Sequence, residues 1–364
     1  MTVGVAIVGC GTISHEYLRN LTTFPDVRVL ACTDLDTDRA RAVAAQYGVP
    51  DAGEPDLALR HPDVELVVNL TIPAAHVEVS AAAVALGKHV YSEKPLSLDP
   101  DGGARLLAAA ASAGVRVGAA PDTFLGAGLQ SAYRLIARGA IGTPQAALTL
   151  VQGPGPQSWH HSPEFLFQHG GGPLFDIGPY YLTALAAAFG PVTRVAATAQ
   201  QAFAKRVIGA GPRAGTEFAV EVPTNVSCLL QFAAGQSATS IFSFDSPLSR
   251  QGFLEITGTE ATLSVPDPNR FDGPLSLRRA GDEDWTPVDT RGASVGRGMG
   301  VLDMARAIRT GAPHRADAAG ALHIVEVMAA LTESAQRGQF VTVHSDFPIP
   351  APLAEDWDPR QRTL

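Results

Sequence analysis

The chain has 364 residues, a net charge of −9 and 46% hydrophobic residues, enough for two domains and a sizeable core. Its acidity and scattered basic residues argue against nucleic acid and anionic membrane surfaces as partners. No apolar run approaches the ~18 residues that span a bilayer. Three cysteines, Cys10, Cys32 and Cys228, are odd in number and far apart. They suggest neither a disulfide framework nor a zinc site and fit a reducing cytoplasm. Ala6-Ile7-Val8-Gly9-Cys10 lacks the basic n-region of a secretion signal, because no basic residue precedes Arg19. It is expected to be a strand, and the protein cytoplasmic.

The first elements set the reading. Val5 to Val8 predicts a strand that runs into Gly9-Cys10-Gly11-Thr12-Ile13-Ser14. An amphipathic helix follows, with Ile13, Tyr17, Leu18 and Leu21 near helical spacing, and an apolar run from Val27 to Cys32 ends at Asp34. Strand, glycine turn, helix, strand and acid form the order of a dinucleotide-binding βαβ unit. Gly9 permits the tight turn. Gly11 lets the backbone approach a pyrophosphate on the helix N-terminus, opened by Thr12 and Ile13, where free N–H groups and the dipole favour anions. Ser14 replaces a third glycine and is small enough for close packing. Asp34 lies near the expected spacing of about 20 residues for an acid on the adenosine ribose. It would repel a 2′-phosphate, so NAD is expected over NADP.

Strands and helices then alternate for about 120 residues, which predicts a doubly wound parallel sheet. Helices are expected over Asp38–Tyr47, Asp56–Arg60, from Pro73 to Gly87, and from Pro100 (capped by Asp99) to Gly114. Strands are expected over Val64–Leu70, His89–Tyr91 and Val115–Val117. Beyond Pro121 the pattern changes. After a helix over Leu129–Arg138 come β-rich runs at Ala146–Val151, Thr193–Ala199, Asn225–Phe232, Thr239–Asp245, Phe253–Thr257, Thr262–Val265 and Leu275–Arg279. Helices are expected at Pro179–Phe189, Val301–Arg309 and Ala318–Arg337. The reading is an α/β protein: a Rossmann domain over 1–121, then an α+β domain over 122–364 with a largely antiparallel open sheet. The tail from Asp346, rich in proline and charge, reads as an arm or a loosely ordered segment.

Three constellations carry polar chemistry. Glu93-Lys94-Pro95 directly follows a strand of the nucleotide domain, where ligands of open α/β sheets gather. A cis bond at Pro95 would fix the turn that aims Lys94. The bland alternative is a surface turn with a solvated lysine. Gly170 to Tyr181 combines a glycine run, Asp176 and a helix started by Pro179. On that helix Tyr181, Leu185 and Phe189 read as core. Tyr180 shares a smaller face with Ala184 and Ala187, so it is the tyrosine freer to meet a substrate, while Asp176 could simply cap the helix. Trp159-His160-His161 with Glu164 lies in a proline- and glycine-rich loop. No partner at ligand spacing accompanies the histidines, so no metal is expected. Trp159 and His160 read as a wall of a hydroxyl-binding site.

Gly9-Cys10-Gly11, Thr71-Ile72-Pro73 with His76, Gly87-Lys88-His89-Val90 leading to Glu93-Lys94-Pro95, and Asp176-x-Gly178-x-Tyr180 occur in the order of the Gfo/Idh/MocA family, which the chain resembles along nearly its whole length. The resemblance implies hydride exchange between a nicotinamide cofactor and a carbinol or carbonyl of a sugar, cyclitol or related polyol. It implies Lys94 as catalytic lysine, Asp176 as its substrate-orienting partner, and Thr71, His76, Glu93 and Lys94 as further cofactor contacts. It also implies a homodimer or homotetramer through the C-terminal sheet. Most members have histidine where this chain has Tyr180, a departure that resembles the tyrosine-bearing branch of glucose–fructose oxidoreductase and dihydrodiol dehydrogenase. Lys94 and Tyr180 together make a proton-transfer pair, in which either could be the acceptor. A lyase or epimerase with tightly bound NAD, and a non-catalytic NAD-binding sensor, are the alternatives.

Overall fold

The computed structural model describes residues 2–364, and their contacts divide the chain into two units. The first comprises 2–127, 292–325 and 350–364, and the second 128–291 and 326–349. The division is therefore not one cut near residue 121, because two C-terminal segments return to the first unit.

The first unit alternates β1 (Val3–Val8), α1 (Thr12–Leu21), β2 (Val27–Thr33), α2 (Thr37–Tyr47), β3 (Asp51–Gly53), α3 (Pro55–Arg60), β4 (Leu66–Asn69), α4 (His76–Ala85), β5 (His89–Ser92), α5 (Pro100–Ala113) and β6 (Val117–Ala119). The strands form one parallel sheet in the order β3-β2-β1-β4-β5-β6. Every residue of β1 is buried, as expected of a central strand in a sheet with both faces covered. Strand order reverses between β1 and β4, so the crevice outside their carboxyl ends is the switch point where ligands bind such sheets. Helix ends follow their local signals. Asp99 accepts from the Gly102 amide at 2.7 Å to start α5, and Gly114 (φ 66°) ends it. The strand expected at Val115 begins at Val117 because the Val115 amide is spent on the Ala110 carbonyl, closing that helix.

The second unit is built on α6 (Ala127–Ala137), β7 (Pro144–Gln152), α7 (Gly172–Asp176), α8 (Gly178–Phe189), β8 (Val192–Gln200), β9 (Lys205–Val207), β10 (Glu217–Ala219), β11 (Asn225–Phe232), β12 (Ser237–Ser243), β13 (Arg250–Gly258), β14 (Ala261–Val265), β15 (Leu275–Arg279) and β16 (Thr286–Val288). After α9 (Met299–Thr310) and α10 (Ala318–Arg337), β17 (Val341–Thr342) completes a nine-stranded sheet, β16-β15-β14-β13-β7-β12-β11-β8-β17. Only β7 and β12 pair in parallel, so the sheet is largely antiparallel, as expected. β9 and β10 form a separate hairpin, which the periodicity did not reveal. The helix α8 is buried on nearly every face. An all-round apolar helix of this kind has no free side, so Tyr180 is not on a freer face: it is 6% exposed against 1% for Tyr181.

The tail is not a loose arm. Asp26, fully buried, accepts from the Thr363 amide (3.0 Å) and hydroxyl (2.8 Å), the Leu364 amide (3.1 Å) and Arg306 Nε (2.9 Å). The Arg306 guanidinium also lies 4.9 Å from the centre of the Trp357 ring. A buried carboxylate must find donors, and here the last residues supply them. Among the described residues no helix is long and apolar enough to cross a membrane.

Candidate active site

In the first unit the turn after β1 has the features of a pyrophosphate cradle. Gly9 has φ +99°, and a Cβ there would lie 2.7 Å from the Leu70 carbonyl, so no other residue fits without displacement. Gly11 is the N-cap of α1 and makes no side-chain cap. A Cβ at Gly11 would meet no protein atom within 4 Å, which leaves its open side to a ligand. Thr12 and Ile13 open the helix there, while Ser14 is fully buried and bonds the Gly11 carbonyl at 2.7 Å. Asp34 Oδ2 accepts the Cys10 amide at 2.7 Å, and Oδ1 accepts the Asp36 amide at 2.9 Å. The acid therefore braces the turn as well as standing at the end of β2. Arg39 lies 3.6 Å from Oδ2. An uncapped helix start, an open glycine and an acid on the second strand fit the diphosphate and ribose of NAD.

The loops after β4 and β5 are tied together. Thr71 donates to Asn69 Oδ1 at 2.6 Å. His76, 1% exposed, sets Nδ1 2.7 Å from the Pro95 carbonyl and Nε2 3.0 Å from the Thr71 carbonyl. Burial holds its pKa below the ordinary value. Glu93, 7% exposed, accepts the Tyr17 hydroxyl (2.7 Å) and the Lys94 amide (3.0 Å). His76 thus joins the loop after β4 to the loop after β5, and Glu93 joins α1 to the backbone of Lys94. The Lys94–Pro95 peptide is cis.

The second unit contains a cavity of about 250 Å³. Asp176 lines it, at the end of α7. The N-cap of α8 is Ile177, one residue after Asp176. Trp159, 65% exposed, forms another part of the wall. His160 packs edge-on between Trp159 (5.6 Å) and Phe165 (5.5 Å), and its Nδ1 accepts the Ser162 amide at 3.0 Å. Burial and then His161 push its pKa down, against the pull of Asp176 and Glu164. Tyr180 and His160 are not among the residues that line this cavity, whereas Tyr181 is.

Two features of the wall escape sequence reasoning. One is the Tyr181 hydroxyl, which donates to Asp267 Oδ1 at 3.0 Å and accepts the Gly252 amide at 2.9 Å. The flanking prolines of Pro266-Asp267-Pro268 signalled a fixed turn, but nothing local ties it to Tyr181. The other is the β9–β10 segment. Arg206, 8% exposed, donates to the carbonyls of Pro154 (2.9 Å) and Phe244 (3.0 Å) and to Asp245, whose Oδ2 accepts the Thr224 hydroxyl at 2.6 Å. Leu166, Phe167, Val220 and Phe244 pack into one apolar cluster beneath. The segment thereby holds the Gly153–Trp159 loop against the end of β12.

Residues 3–120 match the family described as an oxidoreductase family with an NAD-binding Rossmann fold, and residues 129–264 match the GFO/IDH/MocA C-terminal domain. An inositol 2-dehydrogenase of Ralstonia nicotianae is 36% identical over 151 residues, 40% of this chain and 44% of that protein. The chain therefore aligns with less than half of that relative. An uncharacterized oxidoreductase, ORF334, of Rhizobium meliloti is 27% identical over 358 residues, 94% of this chain and 99% of the relative. A levoglucosan dehydrogenase solved with NADH and levoglucosan shares the fold, with TM-score 0.83 at 20% identity, covering 94% of this chain and all of that one. The glycine turn, the parallel sheet and the mixed sheet thus fall together: the chain belongs to the Gfo/Idh/MocA family of NAD-binding oxidoreductases.

Proposed function

We propose that this enzyme is a dehydrogenase or reductase of a CH–OH group in a sugar, cyclitol or related polyol, with Lys94, Tyr180 and Asp176 as its reacting residues. The observation that carries the reading is the cavity beside Asp176, whose wall mixes an indole face and prolines with carboxylates and amides. Such a surface suits a molecule with apolar C–H faces and hydroxyl edges. The names of the inositol and levoglucosan dehydrogenases point to the same substrate class.

Gly9, Gly11, Thr12, Ile13 and Asp34 would hold NAD, which when bound supplies the hydride acceptor or donor. The protein must manage the proton. Releasing hydride from a carbinol requires its hydroxyl proton to leave, so a base has to reach that oxygen. A phenol with a pKa of about 10 accepts it poorly near neutrality, and a neighbouring ammonium favours the phenolate. Tyr180 is assigned the proton, Lys94 the electrostatic support and a second hydroxyl contact, and Asp176 the orientation of substrate. Lys94 as the base is the internal rival. A homo-oligomer on the nine-stranded sheet goes with this reading. Leu148, Thr239 and Leu229 sit in register across β7, β12 and β11 and form an exposed row, with the two leucines 38% and 46% exposed.

The test is a screen of sugars, cyclitols and diols for absorbance change at the nicotinamide band, with both cofactors. Turnover of none, with NAD held tightly through purification, would favour a lyase or epimerase.

A further inference from the structure

We infer that the substrate carries a second ring, joined to the reacting polyol through a glycosidic oxygen, and that an aromatic row outside the second unit's cavity binds that ring. The row is Trp159, His160 and Phe165. The inference rests on reading the cavity as the substrate site and goes beyond it to the size of the substrate.

Volume sets the limit. The cavity of about 250 Å³ is smaller than the ~300–1,000 Å³ of a pocket that encloses a drug-sized ligand. It has room for one ring, so the rest of a larger substrate has to leave past the wall. Trp159 belongs both to that wall and to the outer surface, since it lines the cavity and is still 65% exposed. From it the row continues outward. His160 meets Trp159 edge-on at 5.6 Å, and Phe165, also exposed, meets His160 edge-on at 5.5 Å. His160 is within electrostatic reach of Asp176, so the row passes close to the carboxylate that the proposed function uses to orient substrate.

Exposed aromatics scattered singly are ordinary, but this row is contiguous and held from two sides. The loop between β9 and β10 backs it. There the Gly209 amide donates to the Gln157 carbonyl at 2.7 Å, and Arg213 pairs with Glu164 at 2.5 Å. Gly211 lies so close to the His161 ring that a Cβ would come within 2.7 Å of its Cγ. On the other side Gly171, the N-cap of α7, packs against the Phe165 carbonyl, where a Cβ would again lie at 2.7 Å. Since α7 ends at Asp176, one short helix ties Phe165 to the cavity wall. A surface fixed in advance loses little freedom when a ligand covers it. Its aromatic faces and edges suit the C–H face of a second sugar or the ring of an aryl group. A polar contact comes from His160, whose Nδ1 accepts the Ser162 amide at 3.0 Å. The neutral ring therefore has its proton on Nε2, as a donor to an oxygen of the glycoside. A free monosaccharide seated in the cavity leaves the row in water.

The experiment uses the full chain with NADH or NAD bound and a glucose series: glucose, its methyl and phenyl glycosides in both anomers, maltose and cellobiose. Binding is read by quenching of Trp159 emission, with Trp159→Phe as blank, and turnover is read in parallel at the nicotinamide band. The methyl glycosides have the glycosidic oxygen without the second ring. In one anomer the phenyl glycoside or the disaccharide should bind about tenfold or more tighter than the methyl glycoside. Which of the two leads tells an aryl group from a second sugar. Phe165→Ala should bring this ring-to-methyl ratio close to one. Phe203→Ala removes an exposed ring that packs on Arg206 instead, and should leave the ratio as it is. A ratio near one in the wild type, an unchanged ratio in Phe165→Ala, an equal fall in both variants, or failure of every probe to bind would overturn the inference. So would dissociation of an oligomer in Phe165→Ala, seen by sedimentation, because it would give the row to a second copy of the chain. Ring-dependent binding without turnover would uphold the inference while sinking the dehydrogenase reading, and turnover at a ratio near one would do the reverse.

Discussion

The glycine turn of the first unit and the cavity wall of the second each hold a ligand surface in place, but with chain segments of opposite reach. Between Gly9 and Asp34 the parts are close in sequence: Ser14 bonds Gly11, and Asp34 bonds Cys10. The wall instead joins Tyr181 to Asp267, 86 residues apart, and Arg206 to Pro154, 52 residues apart. A site of the first kind can be read as a motif. One of the second kind exists only after its sheet has formed, and it can vary without disturbing the first. The two surfaces are thus held by separate sets of bonds, and substitutions should separate their effects.

The largest effect should come from the chemistry that needs both ligands. Lys94→Ala and Tyr180→Phe should each lower kcat by about 10²–10⁴-fold while NADH titration stays near wild type. Near-normal turnover in Tyr180→Phe would hand the proton to Lys94 or to a histidine such as His160. Next, Arg206→Met should destabilise the second unit, since removing one partner of a buried pair costs about 3–5 kcal/mol. Its NADH affinity should survive in the still-folded protein. Equal loss of both would mean the two regions are not independent.

The turn itself offers a sharper contrast. Gly9→Ala forces a side chain into a left-handed conformation against the Leu70 carbonyl, and should cost about 1–3 kcal/mol in denaturant titration. Gly11→Ala meets open space, so it should leave the unfolding midpoint alone and weaken NADH. Asp34→Ala should lower NAD affinity about tenfold and reduce the preference over NADP. Tighter NADP binding by the wild type, unchanged in the variant, would remove Asp34 from that role. The smallest effect is expected of His160→Ala: a raised KM with little change in cofactor affinity or Tm. A clear fall in Tm at constant KM would make the histidine a loop brace through its Ser162 bond.

Much of the fold was legible because its signals are local. Asn225–Phe232, Leu275–Arg279 and Ala318–Arg337 have the bounds that periodicity predicts. Asp99 with Pro100, and Gly114, mark the ends of α5. The strands β9 and β10 were not legible, since three residues each are too short to show alternation. The glycine turn could be found from its spacing. The burial of Tyr180 could not, because α8 is apolar all round and helical phase alone does not say which faces are covered. Asp267 was missed for the reason that separates the two regions: its partner lies far away in the chain.

The scattered composition of the first unit has a consequence during synthesis. Asp122, fully buried and with its pKa raised by that burial, accepts from the Gly298 and Gly300 amides at 2.9 and 3.0 Å, 176 and 178 residues later. At ribosomal rates those donors emerge about 10–35 s after the aspartate. Asp26 waits longer still, for Arg306 and the final residues. Until then the nascent parallel sheet contains carboxylates that it cannot bury at low cost. A fragment of residues 1–127 should therefore bind chaperones and unfold without a cooperative transition, although it contains the whole nucleotide motif.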